Sequence, residues 1–255
     1  MILAVLQART SSTRLPGKVM RPLAGAPMLA RHIERIGRAR RIDRLIVATS
    51  DRAEDDCVAE VAAGAGALAF RGSLDDVLDR FYRAAEPHQP RHVVRLTGDC
   101  PLADWELIDR CIDFAVEGGF DYASNALRPT WPDGLDVEVC TFAALECAWR
   151  EAVDAVEREH VMPFITRRPD RFRLGSLEQV VDQSMHRWTV DEPADYAFVS
   201  RIYDALYPAN PAFTTADVLE LLAAEPDLAR LNAGIARNEG LAKSLAAQAK
   251  DRPDA

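Results

Sequence analysis

The sequence predicts an α/β protein built on a doubly wound, mostly parallel β-sheet. The first observation is that short apolar runs, typical of buried strands, alternate with amphipathic helical patterns over residues 1–124. The second is that polar, glycine-containing loops follow two of these runs, as happens where parallel strands end at a binding crevice. The third is the length of 255 residues, which suits one large α/β domain with a substantial core.

Five strands are predicted in the first half of the chain, with helices between them. The strands lie at 1–6, 44–50, 67–70, 92–97 and 120–124. The first helix opens at Pro27, the second spans 54–63, the third is capped by Ser73, and the fourth is marked by apolar residues from Ile108 to Ala115. Because helices separate the strands, we expect parallel pairing with right-handed crossovers.

The second half of the chain changes character. Residues 135–141 alternate apolar and acidic side chains, the pattern of a strand with one wet face. Helices are predicted at 142–149 and 153–167, strands at 172–181 and 186–190, and further helices from Pro193 and from Thr215, the last with a break at Pro226. Since no linker or repeat interrupts the chain, we expect a single domain over 1–240 with a β/α excursion near 126–180. A tail at 241–255, disordered from about Lys250, completes the prediction.

The composition narrows the classes of function. Lysine and arginine number 31 and aspartate and glutamate 40, a net charge of −9 without a basic run, so no nucleic-acid partner is expected. No apolar run has membrane-spanning length and no signal-peptide pattern opens the chain, so no membrane contact is expected. The five cysteines, without a CxxC pair, indicate reduced thiols in a cytoplasmic protein.

The loop at 8–18, directly after the first strand, is the clearest chemical feature. It carries four hydroxyl side chains, two arginines, a Pro-Gly turn and a lysine. Small residues let backbone N–H groups approach an anion while arginine and lysine supply charge, so the loop is typical of a phosphate cradle. It has neither the GxxxxGK[ST] nor the GxGxxG pattern. A solvated basic loop before a helix is the alternative.

Residues 12–18, Ser-Thr-Arg-Leu-Pro-Gly-Lys, resemble the opening signature of the sugar cytidylyltransferases, which activate acidic sugars such as 3-deoxy-manno-octulosonate with CTP. Five further strings resemble the branch of this family assigned to spore-coat and surface-polysaccharide biosynthesis: RGSLDDVLDRFY, VVRLTGDCPL, PDGLDVEV, EREHV and WTVDEPADY. The resemblance covers residues 2 to about 206. It implies a nucleotide-diphospho-sugar transferase-like fold. It also implies a homodimer, because the excursion builds the dimer interface in this family.

The resemblance implies roles for individual residues as well. Asp99, in a Gly-Asp-x-Pro-Leu turn, and Asp191, in a Val-Asp-x-Pro-x-Asp motif, would hold Mg²⁺ as the cofactor, a cation that prefers carboxylate oxygens. Lys18, Arg14 and Asp99 would be catalytic, with the two basic residues on the triphosphate. Plainer alternatives are a turn-forming role for Asp99, a helix-start acid at Asp191 and helix capping for Ser73. The implied nucleotide-binding set is Ala8, Arg9, Ser12, Thr13, Arg14, Lys18, Ser73, Asp75, Thr97 and Gly98.

Asp136 and Glu138 are the candidate sugar-binding residues. Alternate residues on a strand point to the same face, so these two carboxylates are expected to act together on a hydroxyl or an amine. A solvated strand face is the alternative. Two acids would also repel a carboxylated sugar unless a cation lies between them, which leaves open whether the sugar is acidic or amino.

The sequence therefore predicts a cytoplasmic, Mg²⁺-dependent nucleotidyltransferase of surface-polysaccharide biosynthesis. A sugar hydroxyl would attack the α-phosphate of CTP, with pyrophosphate as the leaving group. No general base is evident, and a metal-bound water is one candidate. One alternative is a glycosyltransferase of the A-type fold, although the Asp-x-Asp motif usual in such enzymes is not found at a strand end here. The other is a non-catalytic nucleotide-binding protein, and use of an NTP other than CTP is also left open.

Overall fold

The computed structural model of the protein describes residues 1–235 and 237, and its centre is a seven-stranded β-sheet. In this sheet the strands follow the order β5-β4-β1-β6-β8-β7-β9, while β2 and β3 form a small separate ribbon. The predicted tail at 241–255 lies outside the described residues. In chain order the strands are β1 (Ile2–Gln7), β2 (Pro22–Leu23), β3 (Ala26–Pro27), β4 (Arg44–Ser50), β5 (Leu68–Gly72), β6 (His92–Thr97), β7 (Tyr122–Ser124), β8 (Glu138–Thr141) and β9 (Leu174–Ser176).

Helices pack on both faces of the sheet, which confirms the doubly wound architecture. Along β1, Ala4 and Leu6 join the apolar cluster that includes α1, α4 and α8, whereas Leu3 and Val5 join the cluster that includes α3 and α5. Within the described part of the chain, none of the helices has the length and apolar character needed to cross a bilayer. The helices are α1 (Met28–Ile36), α2 (Asp56–Gly64), α3 (Val77–Ala85), α4 (Trp105–Gly118), α5 (Phe142–Glu151), α6 (Ala155–His160), α7 (Pro163–Thr166), α8 (Pro193–Leu206) and α9 (Thr215–Ala224).

The sheet is mostly parallel, as predicted. Among the described strands of the sheet, only β8 is antiparallel to its neighbours β6 and β7, and all other pairs are parallel. The chain runs outward from β1 through β4 to β5 and then returns to β6 on the other side of β1. Because the strand order reverses between β1 and β6, a crevice opens between the loops that follow these two strands.

Among the helices, the third and the one predicted at 153–167 differ most from the prediction. The N-cap of α3 is Asp76, whose carboxylate accepts a hydrogen bond from the Asp79 amide (2.9 Å), so the predicted cap at Ser73 is wrong. Ser73 Oγ instead accepts a bond from the Asp76 amide (3.0 Å) in the turn before the helix. The helix predicted at 153–167 is divided into α6 and α7, because Val161 has a φ of 70° and ends α6.

The segment after β7 departs most from the prediction. The excursion near 126–180 contributes β8 and β9 to the main sheet, and the strand expected from residue 135 begins only at Glu138. Residues 186–190 do not form the predicted strand, although an isolated bridge joins Asp133 to Arg187. Their backbone lies against the loop after β6 instead, where the Val190 amide donates to the Asp99 carbonyl oxygen (2.7 Å). An alternation pattern carries no information about such a distant partner.

Gly134 allows this segment to pack tightly. Its φ is 102°, and a Cβ at this position would lie 2.5 Å from the Thr189 backbone nitrogen and 2.6 Å from the Trp188 carbonyl carbon. Next to it, the Trp188 amide donates to the Asp133 carbonyl oxygen (2.6 Å). Because both the conformation and the space favour glycine alone, Gly134 fixes the position of the backbone that leads to Asp191.

We expect Gly134→Ala to lower the free energy of unfolding by about 2–4 kcal/mol, since it combines a strained backbone with a backbone clash. Gly64→Ala is the control, because Gly64 ends α2 without a positive φ and has no atom within 4 Å of an added Cβ. That change should leave stability equal or raise it by about 0.4–1 kcal/mol. Urea unfolding at one pH measures both, and equal midpoints for the two variants would contradict the role given to Gly134.

Candidate active site

The loop after β1 is held in shape by a buried carboxylate. Asp55, fully buried, accepts hydrogen bonds from the Thr10 amide and from Thr10 Oγ1, both at 2.7 Å, and a third from Ser50 Oγ. Burial would raise the pKa of Asp55, but these hydrogen bonds outweigh it and hold the pKa below the ordinary value. Gly17, at a φ of 66°, closes the loop with a bond from its amide to the Thr10 carbonyl oxygen (2.9 Å). The loop is therefore fixed before any ligand arrives.

The end of β6 lies directly against this loop. The Gly98 amide donates to the Gln7 carbonyl oxygen (2.8 Å), and a Cβ on Gly98 would lie 3.0 Å from both Ala8 Cβ and that oxygen. Glycine therefore permits the close approach that places Thr97 and Asp99 beside the first loop.

Lys18 connects the three predicted motifs. Its ammonium nitrogen lies 3.3 Å from Asp99 Oδ2, 2.9 Å from Asp191 Oδ1 and 2.9 Å from the Val190 carbonyl oxygen. Burial would lower the pKa of Lys18, but the two carboxylates outweigh this effect and raise it. Burial likewise opposes ionisation of Asp99, yet Lys18 and the bonds from Thr97 and Cys100 hold the pKa of Asp99 well below its usual range. Lys18 and Asp99 are thus both charged at neutral pH.

A buried cluster of charges orients Asp191. Arg187, a mostly buried side chain, donates to both carboxylate oxygens of Asp195 (2.9 Å each), to Asp133 (3.2 Å) and to Asp191 (3.3 Å). Asp195 also accepts from the Asp191 amide (3.0 Å), and Arg14 approaches Asp191 Oδ1 at 3.0 Å from the first loop. Asp191 therefore has little freedom to turn away from Lys18.

The two carboxylates have the chemistry of a site for a divalent cation. One oxygen of Asp99 and one of Asp191 already face a single ammonium nitrogen, so together they accommodate one cation. In the described residues no group of three or more His, Cys, Asp and Glu side chains has the arrangement of a metal site. A pair of carboxylates fits Mg²⁺, which takes its other ligands from water and phosphate oxygens.

The crevice holds two connected compartments. The first, of about 380 Å³, is lined by most of the predicted nucleotide-binding residues: Ala8, Arg9, Ser12, Thr13, Arg14, Lys18, Thr97 and Gly98. Ser73 and Asp75 are not among its described lining residues, and their contact with a nucleotide stays a prediction. Arg80, which the sequence did not single out, lines it and donates to the Ser73 carbonyl oxygen.

The second compartment, of about 400 Å³, contains both predicted sugar-binding residues. Glu138 accepts from the Tyr122 hydroxyl (2.7 Å) and is paired with Arg95. Asp136 is paired with Arg237. Burial raises the pKa of Asp136 to about 7; Arg237 opposes the rise, while Asp133, Glu138 and Asp99 add to it. Neither acid is therefore simply exposed to solvent, because each is already paired with an arginine.

Comparison with known proteins agrees with this arrangement. The family model described as cytidylyltransferase matches residues 3–207, most of the chain. The chain belongs to the cytidylyltransferase family. The spore coat polysaccharide biosynthesis protein SpsF of Bacillus subtilis is 33% identical over 235 residues, which cover 89% of this chain and 96% of that protein.

Two further relatives support the family and the fold. A cytidylyltransferase of known structure from Leptospira borgpetersenii superposes with a TM-score of 0.87 at 29% identity, covering 92% of this chain and 99% of the other. A 3-deoxy-manno-octulosonate cytidylyltransferase from Anaeromyxobacter sp. is 37% identical over 138 residues, or 53% of this chain and 54% of that protein.

Several residues of this candidate site were not found from the sequence. Arg95 lies between Val94 and Leu96 in β6, and a charge between apolar residues of a strand is a signal that was available. Arg187 directly precedes the first residue of the WTVDEPADY string and therefore lies just outside the motif. Asp55 left no such signal, because an acid near a helix start is common on protein surfaces.

We expect Asp195→Ala to lower the free energy of unfolding by about 3 kcal/mol or more, because the buried Arg187 guanidinium loses both of its hydrogen bonds to Asp195. Asp227→Ala removes a carboxylate from an exposed pair with Arg230 and should change stability by less than about 0.5 kcal/mol. Thermal and urea unfolding of both variants measure this. Equal, small losses would show that the Arg187 cluster does not stabilise the site.

Proposed function

We propose that this cytidylyltransferase transfers CMP from CTP to a hydroxyl of a sugar and releases pyrophosphate, with Mg²⁺ as its cofactor. The observation that carries the proposal is the position of Lys18, which joins the phosphate-type loop to Asp99 and Asp191 at one point of the crevice. Three motifs, of which the first and the last lie more than 170 residues apart in the sequence, thereby form one charged centre.

The first compartment suits CTP. The rigid loop at 8–18 presents backbone N–H groups, hydroxyls and Arg14 to phosphate oxygens. Asp99 and Asp191 would hold Mg²⁺, which when bound neutralises the triphosphate charge and favours departure of pyrophosphate. The ammonium of Lys18 is then available to stabilise charge that develops on the phosphates, the kind of interaction that contributes most in a dry site.

The second compartment suits the sugar. Asp136 and Glu138 offer carboxylate oxygens to hydroxyl or amino groups, while the arginines beside them offset part of their charge. The names of two relatives, one acting on 3-deoxy-manno-octulosonate and one belonging to spore coat polysaccharide biosynthesis, support an acidic sugar and a role in surface polysaccharide synthesis. An amino sugar would suit the two carboxylates as well.

A cytoplasmic location and a homodimer belong to the same proposal. The five cysteines, all within the described residues, are free thiols, as is usual in a reducing compartment. Val153 (95% exposed) and Val180 (104%) are apolar side chains of the excursion, the part of the chain expected to form the dimer contact.

The direct test is pyrophosphate release in the presence of Mg²⁺, each of the four NTPs and a panel of 2-keto-3-deoxy sugar acids and amino sugars. We expect release with CTP and one class of sugar, and a loss of roughly 10²-fold or more in Asp99→Asn, because the cation site loses one of its two charges. Asp113→Asn, on the exposed side of α4, is the control and should keep full activity. No release from the wild type with any pair would overturn the proposal.

The division of the crevice makes a separate prediction for the sugar side. Asp136→Asn should raise the KM for the sugar by roughly tenfold, the effect of one lost charge-assisted hydrogen bond, and leave the Kd for CTP unchanged. Lys18→Ala should instead weaken CTP binding. Steady-state kinetics and calorimetry separate the two effects, and equal losses of CTP binding in both variants would refute the assignment of the compartments.

A further inference from the structure

None of the roles assigned so far provides an acceptor for the proton that the sugar hydroxyl releases. In the proposed reaction the attacking oxygen comes from the second compartment and the α-phosphorus from the first, so the proton is released where the two compartments meet. Seven described residues line both compartments, and a base must come from among them if it is a side chain of this part of the chain. They are Gln7, Arg14, Arg95, Thr97, Asp99, His160 and Asp191.

Most of these groups are unsuitable as a base at neutral pH. The two arginines stay charged, and the amide and hydroxyl side chains do not take up a proton in this range. Asp99 and Asp191 are both tied to the Lys18 ammonium and are the two candidate ligands for the metal. Within this described set, the imidazole of His160 is the remaining group that accepts a proton near pH 7.

His160 is held firmly at the meeting point. It is the last residue of α6, whose first turn is capped by Asp154 and whose end is fixed by the positive φ of Val161. Arg158 ties the same helix to Asp76 at the start of α3 through a forked ion pair. These contacts fix the backbone that carries the imidazole, which favours the defined position that general-base catalysis requires.

We propose that His160 is the general base of the reaction. Its imidazole takes the proton of the attacking sugar hydroxyl while the new O–P bond forms and the bond from the α-phosphorus to pyrophosphate breaks. The leaving pyrophosphate carries the released electron pair, and the imidazolium later passes its proton to water. This inference rests on the proposed function and adds a catalytic residue to it.

The charges around His160 are balanced in a way that suits this role. Glu159 Oε2 lies 3.6 Å from Nε2, Glu138 faces it from β8, Arg95 from β6, and Arg167 from the end of α7. Burial lowers the pKa of His160, Glu159 and Glu138 oppose this, and the two arginines add to it, so the pKa lies below the ordinary value of 6.5. The imidazole is then mostly neutral at pH 7 and ready to accept a proton.

The test compares wild type, His160→Ala and His88→Ala with CTP, Mg²⁺ and the sugar that gives most pyrophosphate in the panel above. His88 contacts Arg44, the first residue of β4, at the end of the strands opposite the crevice, and lines neither compartment, so its variant should match the wild type. His160→Ala should lose roughly 10²–10⁴-fold in kcat and keep its Kd for CTP, and added imidazole should restore part of the rate.

The pH dependence gives a second readout that a structural role would not change. For the wild type, kcat/KM should fall as the pH drops through the pKa of His160, which lies below 6.5, because protonated imidazole accepts no proton. In His160→Ala this fall of kcat/KM at low pH should disappear, and added imidazole should restore it.

Other results would overturn the proposal. An unchanged pH profile in His160→Ala, or a loss of CTP binding as large as the loss of rate, would remove His160 as the base while leaving the transferase activity of the wild type in place. A wild type that releases no pyrophosphate with any sugar would instead refute the proposed function, and the role of His160 with it.

Discussion

The ammonium of Lys18 between Asp99 and Asp191 is the interaction on which this site depends. Removing a lysine and two carboxylates from water is costly unless they meet one another, so each of the three positions constrains the other two. The meeting requires the loop after β1, the end of β6 and the segment before α8 to converge, which Gly98 and Gly134 make sterically possible. The buried Arg187 cluster then keeps Asp191 in place, so that the charged centre exists without a ligand.

Much of the fold was predictable because parallel strands buried on both faces leave a strong signal. The strands at 44–50 and 92–97 were predicted to the residue, β1 was predicted within one residue, and the helix after Pro193 began where its proline placed it. The segment from 126 to 190 was predicted less well. Its alternating pattern suggested strands, but the backbone of residues 186–190 bonds to Asp133 and Asp99, and local patterns do not report such distant partners.

The site was predictable where its chemistry is concentrated in short strings. The first loop, Asp99 and Asp191 were found in this way, and the structure brings them together. Arg187 and Asp55 were missed because a buried charged side chain and an exposed one are written with the same letter, and only tertiary contacts tell them apart. The string EREHV, which contains His160, was noticed from the sequence. The role proposed for His160 came only from the structure, in which this residue lines both compartments.

The two compartments are encoded in different stretches of the chain. Those residues that line the first alone come mainly from 8–19 and 77–80, whereas those that line the second alone come from 100–138, 162–166 and 187–189. Under the proposed function, substitutions in the second set would change the preferred sugar without rebuilding the residues around Lys18. New sugar preferences would then evolve through residues 100–138, 162–166 and 187–189, while the nucleotide half stays the same.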